Sequence, residues 1–331
     1  MKQPAFYYPF SLLVLIAVCA CTKAQTSVLN SPQYDFIVAK DGSGDFQTVQ
    51  AAINAMPDLR KNPTIIYIKN GTYKEKLLLP ATKQNVKFVG QHLDSVILTY
   101  DDYASKKNIF GEEIGTSGSA SFFIYGDNFT AQNISFENSA GPIGQAVAVR
   151  VASDRVRFIN CKFLGFQDTI YTYGYGAASR QYYKDCYIEG TTDFIFGSST
   201  AVFDGCILFG KTGGQFFTAA STPDTSRFGY VFLKCTVKCD PNTSYYLGRP
   251  WRPYAKTVFL YCNLGSQIKP EGWHNWGKPE AESTTFYGEY KNLGVGAALL
   301  KRVSWSHQLS DEQATQYSIK NIFRGWDVEQ P

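Results

Sequence analysis

Five segments of the chain share one frame. Asn160-Cys161-Lys162-Phe163, Asp185-Cys186-Tyr187-Ile188, Gly205-Cys206-Ile207-Leu208, Lys234-Cys235-Thr236-Val237 and Tyr261-Cys262-Asn263-Leu264 each open with a cysteine in the second place, and Asn133-Ile134-Ser135-Phe136 fits with isoleucine there. Three residues before the cysteine stand Phe158, Tyr183, Phe203, Phe232 and Phe259. The column recurs at intervals of 27, 25, 20, 29 and 27 residues. A degenerate repeat of this length, built of short β-branched and aromatic runs broken by Gly and Asn, indicates a solenoid. Helical repeats need roughly ten periodic residues per helix, and no unit contains such a stretch. The expectation is therefore an all-β, single-domain right-handed parallel β-helix in which each coil adds a rung about 4.8 Å from the last. Its cysteines form a ladder of compact apolar residues, mostly free thiols. Phe46 to Met56 has helical spacing and is expected to cap the open first coil.

Composition narrows the function classes. The 22 Tyr, 24 Phe and 5 Trp, with a formal charge of only +4, exclude a disordered chain. The 32 Lys and Arg form no basic run, which argues against nucleic-acid binding. Lys2 is the only charge in the first twenty residues, and the apolar run Ser11 to Ala20 is too short to span a bilayer but fits the core of a secretory signal. Residues 1–24 are read as that signal, and 30–331 as the solenoid. Val18-Cys19-Ala20-Cys21 resembles a bacterial lipoprotein box, so cleavage before Cys21 with lipidation is set against plain cleavage after Ala24, which leaves Gln25 first. Either route exports the protein, to a bacterial cell envelope or beyond, with membrane contact only through the anchor. A monomer is expected.

The repeat frame also places two carboxylates. Asp168 lies seven residues after Cys161, and Asp193 seven after Cys186, so they occupy equivalent places on adjacent coils. At about one rung apart both cannot ionise freely, and one proton is shared. Such a pair supplies an acid beside a nucleophile or base. Loop aspartates capping turns would share the spacing, so spacing alone leaves both readings open.

The surrounding segments carry more. Gly165-Phe166-Gln167-Asp168-Thr169-Ile170, Gly190-Thr191-Thr192-Asp193-Phe194-Ile195-Phe196-Gly197 and Leu247-Gly248-Arg249-Pro250-Trp251 closely resemble the signature segments of the pectin methylesterases. Asp41-Gly42-Ser43-Gly44-Asp45-Phe46, Gly71-Thr72-Tyr73-Lys74-Glu75, Gln145-Ala146-Val147-Ala148-Val149 and Gly272-Trp273 with Trp276 agree, in the family's order, from about residue 35 to 326. Departures such as Ile170 for a commoner Leu and Thr192 for a commoner Val are conservative. The resemblance implies hydrolysis of galacturonate methyl esters in pectin. It makes Asp193 the nucleophile and Asp168 the general acid and then base, gives Gln145 and Gln167 the oxyanion, and has Arg249 orient Asp193. Trp251 and Phe166, with Arg249 and Gln145, are expected against the sugar. Each residue type suits its role: carboxylates act as covalent nucleophiles, amides as oxyanion donors, and guanidinium as a two-pronged partner.

Other motifs lead elsewhere and fail. Gly205 to Thr212 matches the phosphate-binding pattern G-x-x-x-x-G-K-[ST], but its middle is an apolar rung and Gly213-Gly214 follows, so nucleotide binding is rejected. His92, His274 and His307 are far apart, and Cys235 and Cys239 have no partner pair, so no metal or organic cofactor is expected. A galacturonan hydrolase would space its carboxylates by about 6.5–9.5 Å, and a pectate lyase would cluster acids around calcium. The Gln-Asp segment and lone Arg249 argue against both. A non-catalytic binding solenoid would lack the acid, the nucleophile or the arginine, and all three are present.

Overall fold

Each repeat folds through the same steps: a strand, a one-residue reversal, a second strand, a looser corner and a third strand. The computed structural model describes residues 1–5, 33–174 and 179–329. In it Val156–Ile159 turns at Asn160 into Lys162–Leu164 and then reaches Ile170–Thr172. Arg180–Lys184, Tyr187–Gly190 and Thr192–Gly197 make the next coil, and Thr200–Asp204, Ile207–Gly210 and Phe216–Ala220 the one after. The reversal residues Asn133, Asn160, Asp185, Gly205, Lys234 and Tyr261 all have φ between 49° and 65°. That left-handed conformation suits Gly, Asn and Asp and costs other residues about 1–2 kcal/mol. This explains the Asn, Asp or Gly before four of the six column residues, Ile134, Cys161, Cys186 and Cys206, and leaves Lys234 and Tyr261 strained.

The strands stack in parallel into three sheets, with 11, 8 and 7 strands among the described residues, which is the expected β-helix. Inside, Ile134, Cys161, Cys186, Cys206, Cys235 and Cys262 form one buried column. The thiols are unpaired, and Cys186 Sγ, for example, donates to the carbonyls of Lys184 at 3.3 Å and Phe158 at 3.5 Å. Cys239 is also buried but stands outside the column. Beside it the aromatic column is a true ladder: Phe158, Tyr183, Phe203, Phe232 and Phe259 stack at 5.1, 4.6, 4.6 and 4.3 Å. Such pairs contribute about 0.5–1.5 kcal/mol each beyond their buried area.

Both ends of this core are closed. The capping helix is Val49–Ala55, shorter than the expected Phe46 to Met56, because Thr48 is the N-cap and accepts from the Ala51 N–H. Glu75 accepts from the amides of Val49 and Gln50, satisfying two donors the helix cannot. Phe46 instead bridges to Val38 in extended conformation. Toward the last coil, Arg302 forks Glu289 at 2.7 and 3.1 Å, with the two side chains 4% and 1% exposed. The phosphate-loop look-alike runs as strand Ile207–Gly210, a turn and strand Phe216–Ala220, with no helix after it. Lys211 is spent on Glu189 and the Gly165 carbonyl. The export signal, Cys21 and Gln25 lie outside the described residues.

Candidate active site

One outward-facing register row crosses the seven-stranded sheet: Phe123, Arg150, Tyr171, Phe196, Ala219 and Arg249. Asp168 and Asp193 stand three residues before Tyr171 and Phe196, and the pairing of Ile170 with Ile195 puts them side by side on adjacent coils. Both are left-handed, with φ of 66° and 53°. At Asp193 the pairing to the next coil skips a residue, since Thr192 opposes Phe216 while Ile195 opposes Thr218. This bulge breaks the alternation of a strand. Phe194 and Ile195 can therefore both lie in the core while Asp193 and Phe196 reach the cleft.

Arg249 comes from two coils beyond and passes over the small Ala219. Its Nε donates to Asp193 Oδ1 at 3.0 Å and its Nη2 to Oδ2 at 2.6 Å. The guanidinium lies between the rings of Phe216 and Trp276, 4.0 and 3.7 Å from their centroids. Trp276 is itself left-handed at φ 59°, and its amide donates to His274 Nδ1 at 2.8 Å. Burial and the cations Arg249 and Lys269 push the His274 pKa down, so it stays a neutral acceptor.

The electrostatics divide the two aspartates. Burial and then the neighbouring Asp193 charge push Asp168 well above the usual carboxylate range, against a smaller pull from Arg249. Burial also raises Asp193, but Arg249 opposes it through hydrogen bonds and charge. The arrangement favours a protonated Asp168 beside an ionised Asp193. They open on a cleft of about 370 Å³.

Of the residues singled out in the sequence, Asp168, Asp193, Gln145, Gln167, Arg249 and Trp251 all line that cleft. Gln145 and Gln167 are paired in a parallel bridge, so both amides start from one edge of it. Phe166 is placed elsewhere: its ring sits under Lys211 Nζ at 3.6 Å, because neighbours in an extended segment point to opposite faces. Tyr171, Phe196 and Trp276 were given no site role from the sequence, yet they line the cleft, and Tyr171 stacks on Phe196 at 4.3 Å. The repeat frame held the signal for two of them, since Tyr171 and Phe196 share the same offset from the aspartates.

A protonated acid beside an arginine-held carboxylate, with amide donors at hand, suits acyl transfer from an ester, and this places the molecule among carboxylic ester hydrolases. The chain belongs to the pectinesterase family, whose profile matches residues 35–326. Pectinesterase 31 of Arabidopsis thaliana is 41% identical over 289 residues, 85% of this chain and 89% of that protein. A pectin methylesterase from carrot superposes with a TM-score of 0.82 at 33% identity, covering 91% of this chain and 98% of the other. Another, solved in complex with a hexasaccharide, gives 0.80 at 29% identity over 91% and 100% of the two chains. Longer plant relatives that pair pectinesterase with pectinesterase inhibitor are spanned over 42% to 59% of their length. These curated relatives come from plants, so they lend no support to the bacterial origin read from the first twenty-one residues.

Proposed function

We propose that this protein removes methyl esters from galacturonate units of pectin through a covalent aspartyl intermediate, and that the carrying observation is the Asp168–Asp193 pair with Arg249 forked onto one member only. Asp193 attacks the ester carbonyl while Gln145 and Gln167 donate to the oxyanion. As the tetrahedral adduct collapses, the C–O bond to the methoxy group breaks and Asp168 gives that oxygen its proton, releasing methanol. The acyl group is left as an anhydride on Asp193. Asp168, now a carboxylate, takes a proton from water as the hydroxide attacks the anhydride carbonyl. Asp193 leaves as carboxylate, Asp168 is acidic again, and the new galacturonate ionises, so each turnover yields methanol and one proton. The aromatic surface of Tyr171, Phe196, Trp251 and Trp276 suits the apolar faces of sugar rings.

Methanol and proton release from methylated pectin, with polymer length followed in the same sample, tests this reading. Methanol with unchanged viscosity is expected. Rapid viscosity loss, new reducing ends or unsaturated products from the pure protein would overturn it. We further propose that the chain is exported and that Cys21 carries the lipid anchor. Mass spectrometry of the native N-terminus is expected to find acylated Cys21, and a free or cyclised Gln25 would establish plain secretion instead.

A further inference from the structure

Arg249 is held between two rings, Phe216 and Trp276, and one residue meets both walls of that slot. Trp273 bridges Gly248 in parallel and the His274 amide donates to the Gly248 carbonyl at 3.1 Å, which seats His274 one rung beyond Arg249. Its ring stands edge-on to Phe216 at 5.5 Å and to Tyr246 at 5.1 Å, and Tyr246 stacks on Phe216 at 5.4 Å. Its Nδ1 accepts the Trp276 amide at 2.8 Å, within the turn that holds Trp276 left-handed. A bulky residue keeps that conformation only where its surroundings fix it, and this bond is one of those that do. An imidazole that accepts at Nδ1 is neutral, whereas imidazolium offers donors only. On taking a proton, His274 would face the Trp276 N–H with an N–H of its own. The charges around it are cations: Arg249 on the neighbouring strand, Lys269 from the turn before, 4.4 Å over the Tyr246 ring, and Lys278 from the segment after, 4.6 Å over the Trp276 ring. Among the described residues no carboxylate pairs with His274. Glu282 accepts from Asn275 at 2.7 Å, and Asp193 is forked by Arg249.

We propose that His274 is a positioning residue for the nucleophile: neutral, it holds Trp276 and Phe216 against the Arg249 guanidinium, and protonated, it releases Trp276 and loosens the fork on Asp193. This rests on the esterase reading of the Asp168–Asp193 cleft and adds to it a second group that ends activity on the acid side. Burial, then Arg249 and Lys269, hold the His274 pKa below the ordinary histidine value, so the ring accepts at neutral pH and the change falls on the acid limb. The same limb contains the protonation of Asp193, whose pKa burial raises against the pull of Arg249. The two events reinforce each other, because a loosened Arg249 lets Asp193 take its proton at higher pH.

The test is initial-rate methanol release across the acid limb for wild type, His274→Asn and His274→Phe, with circular dichroism as the folding control. The substrate is a fully methylated galacturonate oligomer, which carries no carboxylate of its own to titrate. Asn keeps an oxygen acceptor near the place of Nδ1 and takes no proton, while Phe keeps a ring and offers no acceptor. In wild type, log kcat/KM is expected to fall with a slope approaching about two, one proton each for Asp193 and His274. His274→Asn should fall with a slope of about one and stay active to lower pH, a change that a merely packing role does not produce. His274→Phe should lose about two- to tenfold of kcat/KM at neutral pH, the worth of one neutral hydrogen bond, and His274→Asn should lose less. Ring C–H NMR of wild type, with the His274 signal identified by its loss in His274→Asn, should show His274 titrating inside the limb. A wild-type slope of about one, an unmoved limb in His274→Asn, or a His274 that titrates outside the limb would overturn the proposal. If His274→Phe fails to fold, the slope and position of the limb in His274→Asn decide. Wild type that releases no methanol at any pH would instead overturn the esterase reading beneath it.

Discussion

Replacing Arg249 with lysine keeps a positive charge and removes the fork, and the site's geometry sets the size of the effect. Two charge-assisted hydrogen bonds, at 3.0 and 2.6 Å, join Arg249 to Asp193, whose side chain is 6% exposed. Hydrogen bonds to charged groups contribute about 1.5–3 kcal/mol each. A lysine retains at most one of them, and its compact ammonium does not fill the slot between Phe216 and Trp276 as a planar group does. Loss of one bond corresponds to about ten- to hundredfold in kcat/KM. The pH profile should move as well. Burial raises Asp193, and Arg249 is what opposes the rise, so a weaker partner leaves more of the nucleophile protonated at any given pH. The acid limb of kcat/KM therefore shifts to higher pH. Arg249→Gln, which removes charge and fork together, should shift it further. The assay is initial-rate methanol release at controlled pH for the three proteins, with circular dichroism confirming the fold. A folded Arg249→Lys with wild-type kcat/KM and an unmoved acid limb would refute the assignment of Arg249 as the group that keeps Asp193 ionised.

The other expectations follow from particular contacts. Asp168→Asn should lose about 10²–10⁴ in turnover, since methanol must then leave without a proton. The same variant should melt higher at neutral pH. The folded Asp168 carboxyl lies well above the ordinary carboxylate value, so its stabilising contribution is present below that value and lost as pH rises through the folded one; the melting gap should close on acidification. Arg302→Ala leaves Glu289 a buried, uncompensated charge, and denaturant unfolding should show a loss of about 3–5 kcal/mol. Lys234→Asn puts a residue suited to the left-handed region at an exposed reversal and should gain up to about 1 kcal/mol in the same assay; no gain would mean the strain is relieved elsewhere.

The solenoid was legible in the sequence because its interior admits one residue size per column. Cys161, Cys186, Cys206, Cys235 and Cys262 had to be compact and Phe158 to Phe259 flat, so the repeat survives in the letters. The aspartate pair was legible for the same reason. The bulge at Asp193 was not, because an inserted residue looks like any other until the pairing is seen. Nor was the role of His274, which depends on a turn that brings its ring edge-on to Phe216 and Tyr246. Phe166, expected against the sugar from the resemblance, faces Lys211 instead; which face a residue presents depends on where its extended run begins.

The placement of the site along the stack makes the two ends of the molecule unequal. In a solenoid each coil is held mainly by its neighbours, so opening begins at a terminus and travels inward. The seven-stranded sheet starts at Leu77–Leu79 and ends at Tyr246–Pro250, the strand that bears Arg249. Fraying from the capping helix can peel away the strands Leu77–Leu79 and Phe122–Ile124 before it reaches either aspartate. Fraying from the other end takes the arginine with the first strand of that sheet to leave. Loss of the last coils should therefore cost activity first, and two contacts oppose it: the Glu289–Arg302 clamp beyond Arg249 in the chain, and the C-terminal segment, whose Phe323 and Trp326 pack back on Tyr182 and Arg180 of an earlier coil.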